Sequence, residues 1–241
     1  MRKSDVTREK MTRGLQSYWY ELIRILNSIV SVYEKANYAM SLFTLRKIRL
    51  NTARILGRIH GVILDAGCGP GTMIPYIMKE NKNLSYYICL DPLPAMLKQI
   101  DAKNEKIDRI RGVFEHIPLR KNSLNACLTS FSFRNSYNYV RAFYNIYYTL
   151  RIHGIYVMLD LYKSTHRSIT IFMKLYLSIV PRIIGSLLLG ANGFRLYRGL
   201  YFTYEKFLNT DEIMVIARII GFKRVFIHPL YSVSLLSVFI K

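Results

Sequence analysis

Acidic side chains are scarce in this 241-residue chain: 15 Asp and Glu stand against 35 Lys and Arg, a formal charge of +20. The imbalance is uneven. Residues 1–60 hold 12 basic and 4 acidic side chains, residues 61–161 hold 12 and 8, and residues 162–241 hold 11 and 3. Basic flanks around a more balanced centre suit nucleic acid, an anionic membrane or an acidic partner, or form a merely solvated surface. Cysteine is equally sparse. Cys68, Cys89 and Cys127 form no Cys-x-x-Cys pair and lie in or beside strand-like runs. They read as buried thiols of a reducing compartment, not as disulfides or zinc ligands, and no metal site is expected. The most apolar stretch, Ile169 to Phe194, is interrupted by Lys174, Pro181 and Arg182. It therefore lacks the roughly 20 uninterrupted apolar residues expected of a spanning helix. Met1-Arg2-Lys3-Ser4-Asp5 leads into charge, so no secretory leader is expected. A cytoplasmic protein follows, with contact at the inner face of a membrane at most peripheral. There is no Gly-Lys-Ser/Thr, which removes support for a triphosphate loop. Nor is there an Asn/Asp-Pro-Pro-Tyr/Phe signature or a separate RNA-binding motif, so nucleic acid is not the expected partner.

What the chain does have is concentrated at Val62-Ile63-Leu64-Asp65-Ala66-Gly67-Cys68-Gly69-Pro70-Gly71-Thr72. A hydrophobic strand ends in an acid, and Gly67, Gly69 and Gly71 lead toward a helix. Glycines permit the sharp turn and let a bulky cofactor lie against the main chain. A second strand-like run, Tyr86 to Leu90, ends in Asp91. That places a carboxylate at the edge of the adjacent strand, where it can accept two ribose hydroxyls. Together the two signals indicate a nucleoside-containing cofactor in a Rossmann-like site. The carboxylate of Asp65 suits a cofactor with a cationic amino-acid end. The pattern Asp-x-Gly-x-Gly-x-Gly resembles motif I of class I S-adenosylmethionine-dependent methyltransferases, which makes S-adenosyl-L-methionine the expected cofactor.

The rest of the chain is organised around that turn. Residues 15–33 carry an apolar stripe at helical spacing that includes Trp19, Ile23, Leu26 and Tyr33. Strands are predicted at 62–65, 85–90, 110–114, 125–131, 154–161, 223–228 and 232–240, and helices at 72–80, 94–103, 138–151 and 210–220. The alternation predicts an α/β, Rossmann-like, doubly wound and mostly parallel sheet. Pro229 is expected to break the sixth strand, and the short link after it predicts a terminal antiparallel hairpin. The chain is read as one domain. It has an N-terminal helical cap over 1–60, a cofactor-binding core over 61–162, a helical lid inserted after the fifth strand over 163–209, and a final helix and hairpin over 210–241.

Four further stretches carry a family resemblance. Tyr33-Glu34-Lys35-Ala36-Asn37 with Ser41 and Arg46 resembles a Tyr-Asp-x-x-Asn motif. Glu115-His116-Ile117-Pro118-Leu119 and Asn122-Ser123-Leu124-Asn125 are similar to a Glu-x-Leu-Pro-Phe…Asn-Ser-Phe-Asp segment. Ser130-Phe131-Ser132-Phe133-Arg134-Asn135 resembles a Ser-Phe-Gly-Leu-Arg-Asn signature, and Leu150 to Gly154 with Leu159-Asp160-Leu161 resembles Leu-Lys-Pro-Gly-Gly…Leu-Glu-Phe. The chain thus resembles the ubiquinone/menaquinone biosynthesis C-methyltransferases. It departs from them at Val113, where an acid often contacts the adenine amino group, and at Ser132, Asn125 and Ile152-His153.

The resemblance implies C-methylation of a polyprenylated quinol precursor by in-line displacement. Arg134 and Asn135 would be catalytic, ordering a water near Asp91. Asp65, Gly67, Gly69, Gly71, Asp91, Phe114 (through its backbone amide) and Tyr33 would bind the cofactor. Arginine stays charged, so Arg134 fits stabilisation of a phenolate better than proton abstraction. The expected partners are a lipid-soluble quinol or related small molecule, an anionic membrane surface met by the basic flanks and the apolar lid, and a second copy of the chain. A phospholipid-headgroup or other small-molecule N- or O-methyltransferase is the alternative, with an RNA methyltransferase behind it.

Overall fold

Period-2 alternation sends successive strand side chains to opposite faces of a sheet, and the computed structural model follows that pattern. It describes residues 14–31, 33–41, 44–101, 103–189, 191–230 and 234–241. Among these, the strands are β1 (Gly61–Ala66), β2 (Leu84–Asp91), β3 (Ile107–Arg111), β4 (Leu124–Ser130), β5 (Leu150–Leu161), β6 (Arg224–Leu230) and β7 (Ser234–Ile240). They form one sheet in the order β3-β2-β1-β4-β5-β7-β6. Pairing is parallel from β3 to β5, and β7 is antiparallel to both β5 and β6. The strand order reverses between β1 and β4, which opens a crevice at their carboxyl ends.

Helices cover both faces. Before the sheet come α1 (Tyr18–Ser28), α2 (Tyr33–Met40) and α3 (Leu45–Leu56). Within it come α4 (Ile74–Glu80), α5 (Pro94–Leu97) and α6 (Tyr139–Thr149). Two helices, α7 (Arg167–Leu189) and α8 (Ala191–Lys206), are inserted after β5, and α9 (Thr210–Ile220) precedes the hairpin. Leu64, Ala66, Ile88, Leu90, Tyr156 and Met158 pack on one face with α6 and α9. Their neighbours Ile63, Tyr87, Cys89, Leu128 and Val157 pack on the other with α3 and α4. Each fully buried apolar side chain of this kind contributes about 1.5–3 kcal/mol. Asp65 falls on the second face by the same alternation, pointing into the core. The α9 helix is held at its start by a reciprocal capping box between Asn209 and Glu212, and it ends at Gly221 with φ +118°. The doubly wound sheet, terminal hairpin, N-terminal helices and inserted lid agree with the architecture expected from sequence.

Several local expectations are corrected. The third strand lies at Ile107–Arg111 rather than 110–114, because Gly112 ends the pairing with β2 and Val113 forms a tight bridge with His116. The helix predicted over 94–103 is only one turn, Pro94–Leu97. The 15–33 stripe is split: α1 ends at Ser28, and Tyr33 begins α2. β5 starts at Leu150, four residues early, with a register shift and a positive φ at His153 (+61°) where the strand bulges. Pro229 does not break β6. The strand continues to Leu230 with Pro229 opposite Leu235, which an edge strand allows because one side needs no ladder donors. The link at 231–233 lies outside the described residues.

The apolar stretch after residue 166 is the largest difference. Pro181 does not interrupt it: α7 runs unbroken for 23 residues and is long and apolar enough, by length and composition, to cross a membrane. An interior proline removes one helical hydrogen bond. Packing offsets that loss, since Met173 and Leu177 of α7 are buried against Tyr204 and Leu200 of α8.

Candidate active site

The glycine turn begins where β1 ends. Gly67, Gly69 and Gly71 have φ of +67°, +56° and +80°, a region that L side chains rarely adopt. Gly67 N and Cys68 N both donate to Leu90 O, at 2.7 and 3.1 Å, tying the turn to the end of β2. A Cβ at Gly67 would lie 2.6 Å from Ser132 Cβ and 2.9 Å from Phe114 Cζ, and one at Gly71 only 2.5 Å from Ile74 Cδ1. At Gly69 the nearest atom would be Tyr33 Cε1, at 3.9 Å. Packing therefore requires Gly67, the φ of +80° favours glycine at 71 where the end of the Ile74 side chain lies close, and Gly69 leaves room beside the main chain.

That room belongs to a crevice at the carboxyl ends of β1 and β2. Trp19, Ile23 and Leu26 of α1 roof it, and Leu93, Met96, Val113 and Phe114 form its apolar side. Asp91, Ser132 and Asn135 supply its polar groups. Asp91 Oδ2 accepts from Gly69 N and Oδ1 from Leu93 N, each at 2.9 Å. Each oxygen keeps a lone pair, so the carboxylate can still accept from a diol. Burial pushes its pKa up to about 6, against the pull of those two backbone donors. The glycine cradle, a carboxylate with spare acceptors and the Phe114 wall fit a nucleoside.

Asp65 is placed differently from a residue on the crevice wall. It is buried on the core side of the turn and takes a 2.7 Å hydrogen bond from the Tyr87 hydroxyl on Oδ2. Its Oδ1 is buried with no hydrogen-bond partner among the described residues. Burial pushes its pKa up to about 7; the Tyr87 bond opposes the shift and the nearby Asp91 adds to it. It is a polarised group immediately behind the cradle.

A second cavity, of about 300 Å³, adjoins the first across Tyr33, Gly67 and Gly69, which wall both. Its lining is chiefly apolar: Leu45 and Ile48 of α3, Phe131, Leu161, and Phe172, Met173, Tyr176 and Leu177 of α7. Two guanidiniums interrupt it. Arg134 Nη1 pairs with Asp160 Oδ1 at 2.8 Å, and the Arg134 backbone N donates to Asp160 Oδ2 at 3.0 Å. The same Nη1 also donates to Phe131 O. Arg49 pairs through Nη1 and Nη2 with both oxygens of Glu34, at 2.7 and 3.0 Å. Burial raises the pKa of the Tyr33 phenol, with the Arg134 charge opposing the shift. It is a neutral hydroxyl at the junction of the two spaces.

The structure thus brings Tyr33, Gly67, Gly69, Asp91, Phe114 and Asn135 to the crevice and separates Arg134 from Asn135, its chain neighbour, into the second cavity. Gly71 and Asp65 line neither. His166, at the start of the inserted helices, is not among the cavity walls; its backbone N–H donates to Ser164 Oγ. Sequence reasoning missed Arg49. The available signal was a charged residue on the buried face of an amphipathic helix that also carries Leu45, Ile48 and Leu56.

A glycine-turn crevice at the strand-order reversal, with an acid ending the second strand, defines a class I S-adenosylmethionine-dependent methyltransferase. The model of the ubiE/COQ5 methyltransferase family matches residues 15–233, and the chain belongs to that family. It is 24% identical over 212 residues to the ubiquinone/menaquinone biosynthesis C-methyltransferase UbiE of Campylobacter jejuni, covering 84% of this chain and 89% of that one. A possible histamine N-methyltransferase from Thermotoga maritima superposes with a TM-score of 0.59 at 18% identity, over 90% of this chain and 99% of that one. A methyltransferase from Methanococcus maripaludis gives 0.57 at 17% identity, over 85% and 90%. Both likenesses are in fold. The protein is a methyltransferase and its cofactor is S-adenosyl-L-methionine.

Proposed function

We propose that this enzyme methylates a ring carbon of a lipid-soluble quinol or a closely related aromatic acceptor. The observation that carries the reading is the cavity of about 300 Å³, chiefly apolar, that shares the glycine turn with the cofactor crevice and holds Arg134. An apolar tail and ring would occupy the aliphatic and aromatic walls, and an oxyanion would face a guanidinium.

When bound, S-adenosylmethionine supplies a methyl group on a cationic sulfur. The chain's own residues do the remaining work. Asp91 accepts the two ribose hydroxyls, Phe114 borders the adenine through its ring and backbone amide, and Asp65 sets a negative field behind the turn that suits a cationic amino-acid end. Tyr33, at the junction of the two cavities, closes over the methyl position. A ring carbon becomes nucleophilic once a neighbouring hydroxyl has lost its proton. Arg134 holds that oxyanion, while Asn135, in the adjoining crevice, orders the water that takes the proton. Alignment of ring carbon and methyl group is the largest contribution such a site can make.

The outer side of α7 supports a membrane-facing placement. Ile171, Phe172, Leu175, Ile179, Ile183 and Leu187 recur at helical spacing and are all about half exposed or more. The segment from 162 onward carries 11 basic and 3 acidic side chains. An apolar stripe with cationic neighbours fits the headgroup–acyl boundary of an anionic bilayer, reached from the cytoplasmic side. Phe172 is part of both that stripe and the acceptor cavity wall.

The test is direct. Purified enzyme is given methyl-labelled cofactor and a reduced membrane lipid extract, and mass spectrometry identifies the labelled molecule. Label on a quinone ring is the expected result. Label on phospholipid headgroups, or none on any lipid, would overturn the acceptor assignment.

A further inference from the structure

Arg49 is hard to account for as a structural residue. It is 8% exposed on the buried face of α3, in an aliphatic neighbourhood, and its Nε has no hydrogen-bond partner among the described residues. Burying a guanidinium with an unmade hydrogen bond costs stability. Its partner, Glu34, takes Nη1 and Nη2 in a two-bond fork but leaves Nε unmade, and at 41% exposure the Glu34 side chain stays open to solvent. The α2–α3 turn is already held by Thr44 Oγ1 donating to Ser41 O at 2.6 Å and Leu45 N donating to Ser41 Oγ at 3.2 Å.

The contrast with Arg134 is informative. Asp160 is fully buried, and its oxygens are committed to Arg134 N, Arg134 Nη1 and Leu161 N. That pair is a fixed clamp. Glu34 is half in solvent and binds only Arg49 among the hydrogen bonds described. Water can take over the Glu34 oxygens, so turning an Arg49 donor toward the cavity would not strand a buried carboxylate. Tyr33 feels both guanidinium charges. The acceptor cavity therefore has two cationic anchors, held on different elements, around one phenol.

We propose that Arg49 is a second acceptor-binding residue, holding a ring oxygen other than the one that faces Arg134. It rests on the reading of the acceptor as an oxygenated aromatic ring. Its consequence is specificity: an acceptor with two separated oxygens is held in one orientation, so a single carbon faces the methyl donor. A planar guanidinium suits this role better than an ammonium, because its donors are fixed in direction.

The probes are 1,4-dihydroxynaphthalene, kept reduced and anaerobic, and 1-naphthol, which lacks the second oxygen. Binding of each is measured by calorimetry to enzyme saturated with S-adenosylhomocysteine. Wild-type enzyme is expected to prefer the diol by tenfold or more. Arg49→Met should lose that preference while binding 1-naphthol and S-adenosylhomocysteine as before, and Arg49→Lys should recover it in part. Glu34→Gln, which removes the tether and keeps the cation, should retain the diol preference. A purely structural staple predicts the opposite: Arg49→Met and Glu34→Gln lower the melting temperature together and leave the preference intact, and that result overturns the proposal. Equal binding of the two probes by wild type overturns it while leaving the aromatic acceptor standing. Failure of wild type to bind either probe removes the aromatic acceptor, and the proposal with it.

Discussion

Arg134 Nη1 lies 2.8 Å from Asp160 Oδ1, and the same carboxylate takes the Arg134 backbone N–H, so one buried acid fixes both the main chain and the side chain of the residue that follows the turn after β4. Asp160 has no solvent exposure and Arg134 has 8%. Removing one partner of such a pair leaves an uncompensated buried charge, which typically costs about 3–5 kcal/mol. Asp160→Asn should therefore lower stability by about 3 kcal/mol in urea unfolding and reduce kcat through a displaced Arg134. A variant as stable as wild type would show that the clamp is dispensable.

Arg134→Lys keeps the charge but loses the guanidinium's fixed geometry. It should cut kcat by tenfold or more and leave the cofactor Kd unchanged, because Arg134 lines the acceptor cavity and not the crevice. A matching fall in cofactor affinity would place its action in the crevice instead.

The glycine turn offers a separation of packing from binding. Gly67→Ala forces a Cβ to 2.6 Å from Ser132 Cβ and should destabilise the fold, as read by its melting temperature. Gly69→Ala meets no atom nearer than Tyr33 Cε1, so its cost in stability should be limited to the strain of φ +56°, about 1–2 kcal/mol. Its effect on cofactor affinity should be the larger one. Equal losses of stability in the two variants would contradict the assignment of Gly69 to the crevice.

Protonation links the site to pH. The pKa of Asp65 is pushed up to about 7 and that of Asp91 to about 6, both above an unfolded value near 3.8. A raised acid favours folding below the unfolded pKa, and that contribution is lost as pH rises through the folded value. Asp65→Asn abolishes its share of the loss, so relative to wild type it should gain stability between pH 5 and pH 8. An unchanged difference at the two pH values would refute the buried, proton-holding Asp65. Ribose hydroxyls and a cationic amino group both favour the ionised acids. Cofactor binding at pH 6.5 should therefore release protons, seen as a buffer-dependent calorimetric enthalpy.

Liposome sedimentation tests the outer face of α7. Binding should rise with anionic lipid and fall with salt, and Ile179→Asp with Ile183→Asp should weaken it without lowering the melting temperature, because both side chains are more than half exposed. No binding at any salt concentration would end the membrane placement.

The parts of the protein legible in its sequence were those set by local chemistry. Gly67, Gly69 and Gly71 announce a turn because only glycine adopts those φ values freely, and Asp91 announces a carboxylate beside that turn because it ends the adjacent strand at the right distance after them. Alternating apolar runs determine a doubly wound sheet for the same reason, since strand period and helix period differ along one chain. Boundaries drifted where a long-range partner decided them. β3 stops at Arg111 because β2 stops at Asp91, and Pro229 stays in β6 because that strand is the sheet's edge.

Only the tertiary structure decided what depends on elements far apart meeting. Asp65 points into the core because the register of β1 on β2 sets it beside Tyr87, so the acid that reads as a cofactor ligand stands behind the cradle. Arg134 and Asn135 are neighbours in sequence yet serve different cavities, because the turn that contains them passes between the two. Arg49 enters the site only when α3 and α7 come to line one cavity, and α7 stays helical through Pro181 because packing on α8 outweighs one lost hydrogen bond. Backbone preference and periodicity act over a few residues and can be read in one dimension. Burial, charge pairing and cavity shape arise from contacts across the chain.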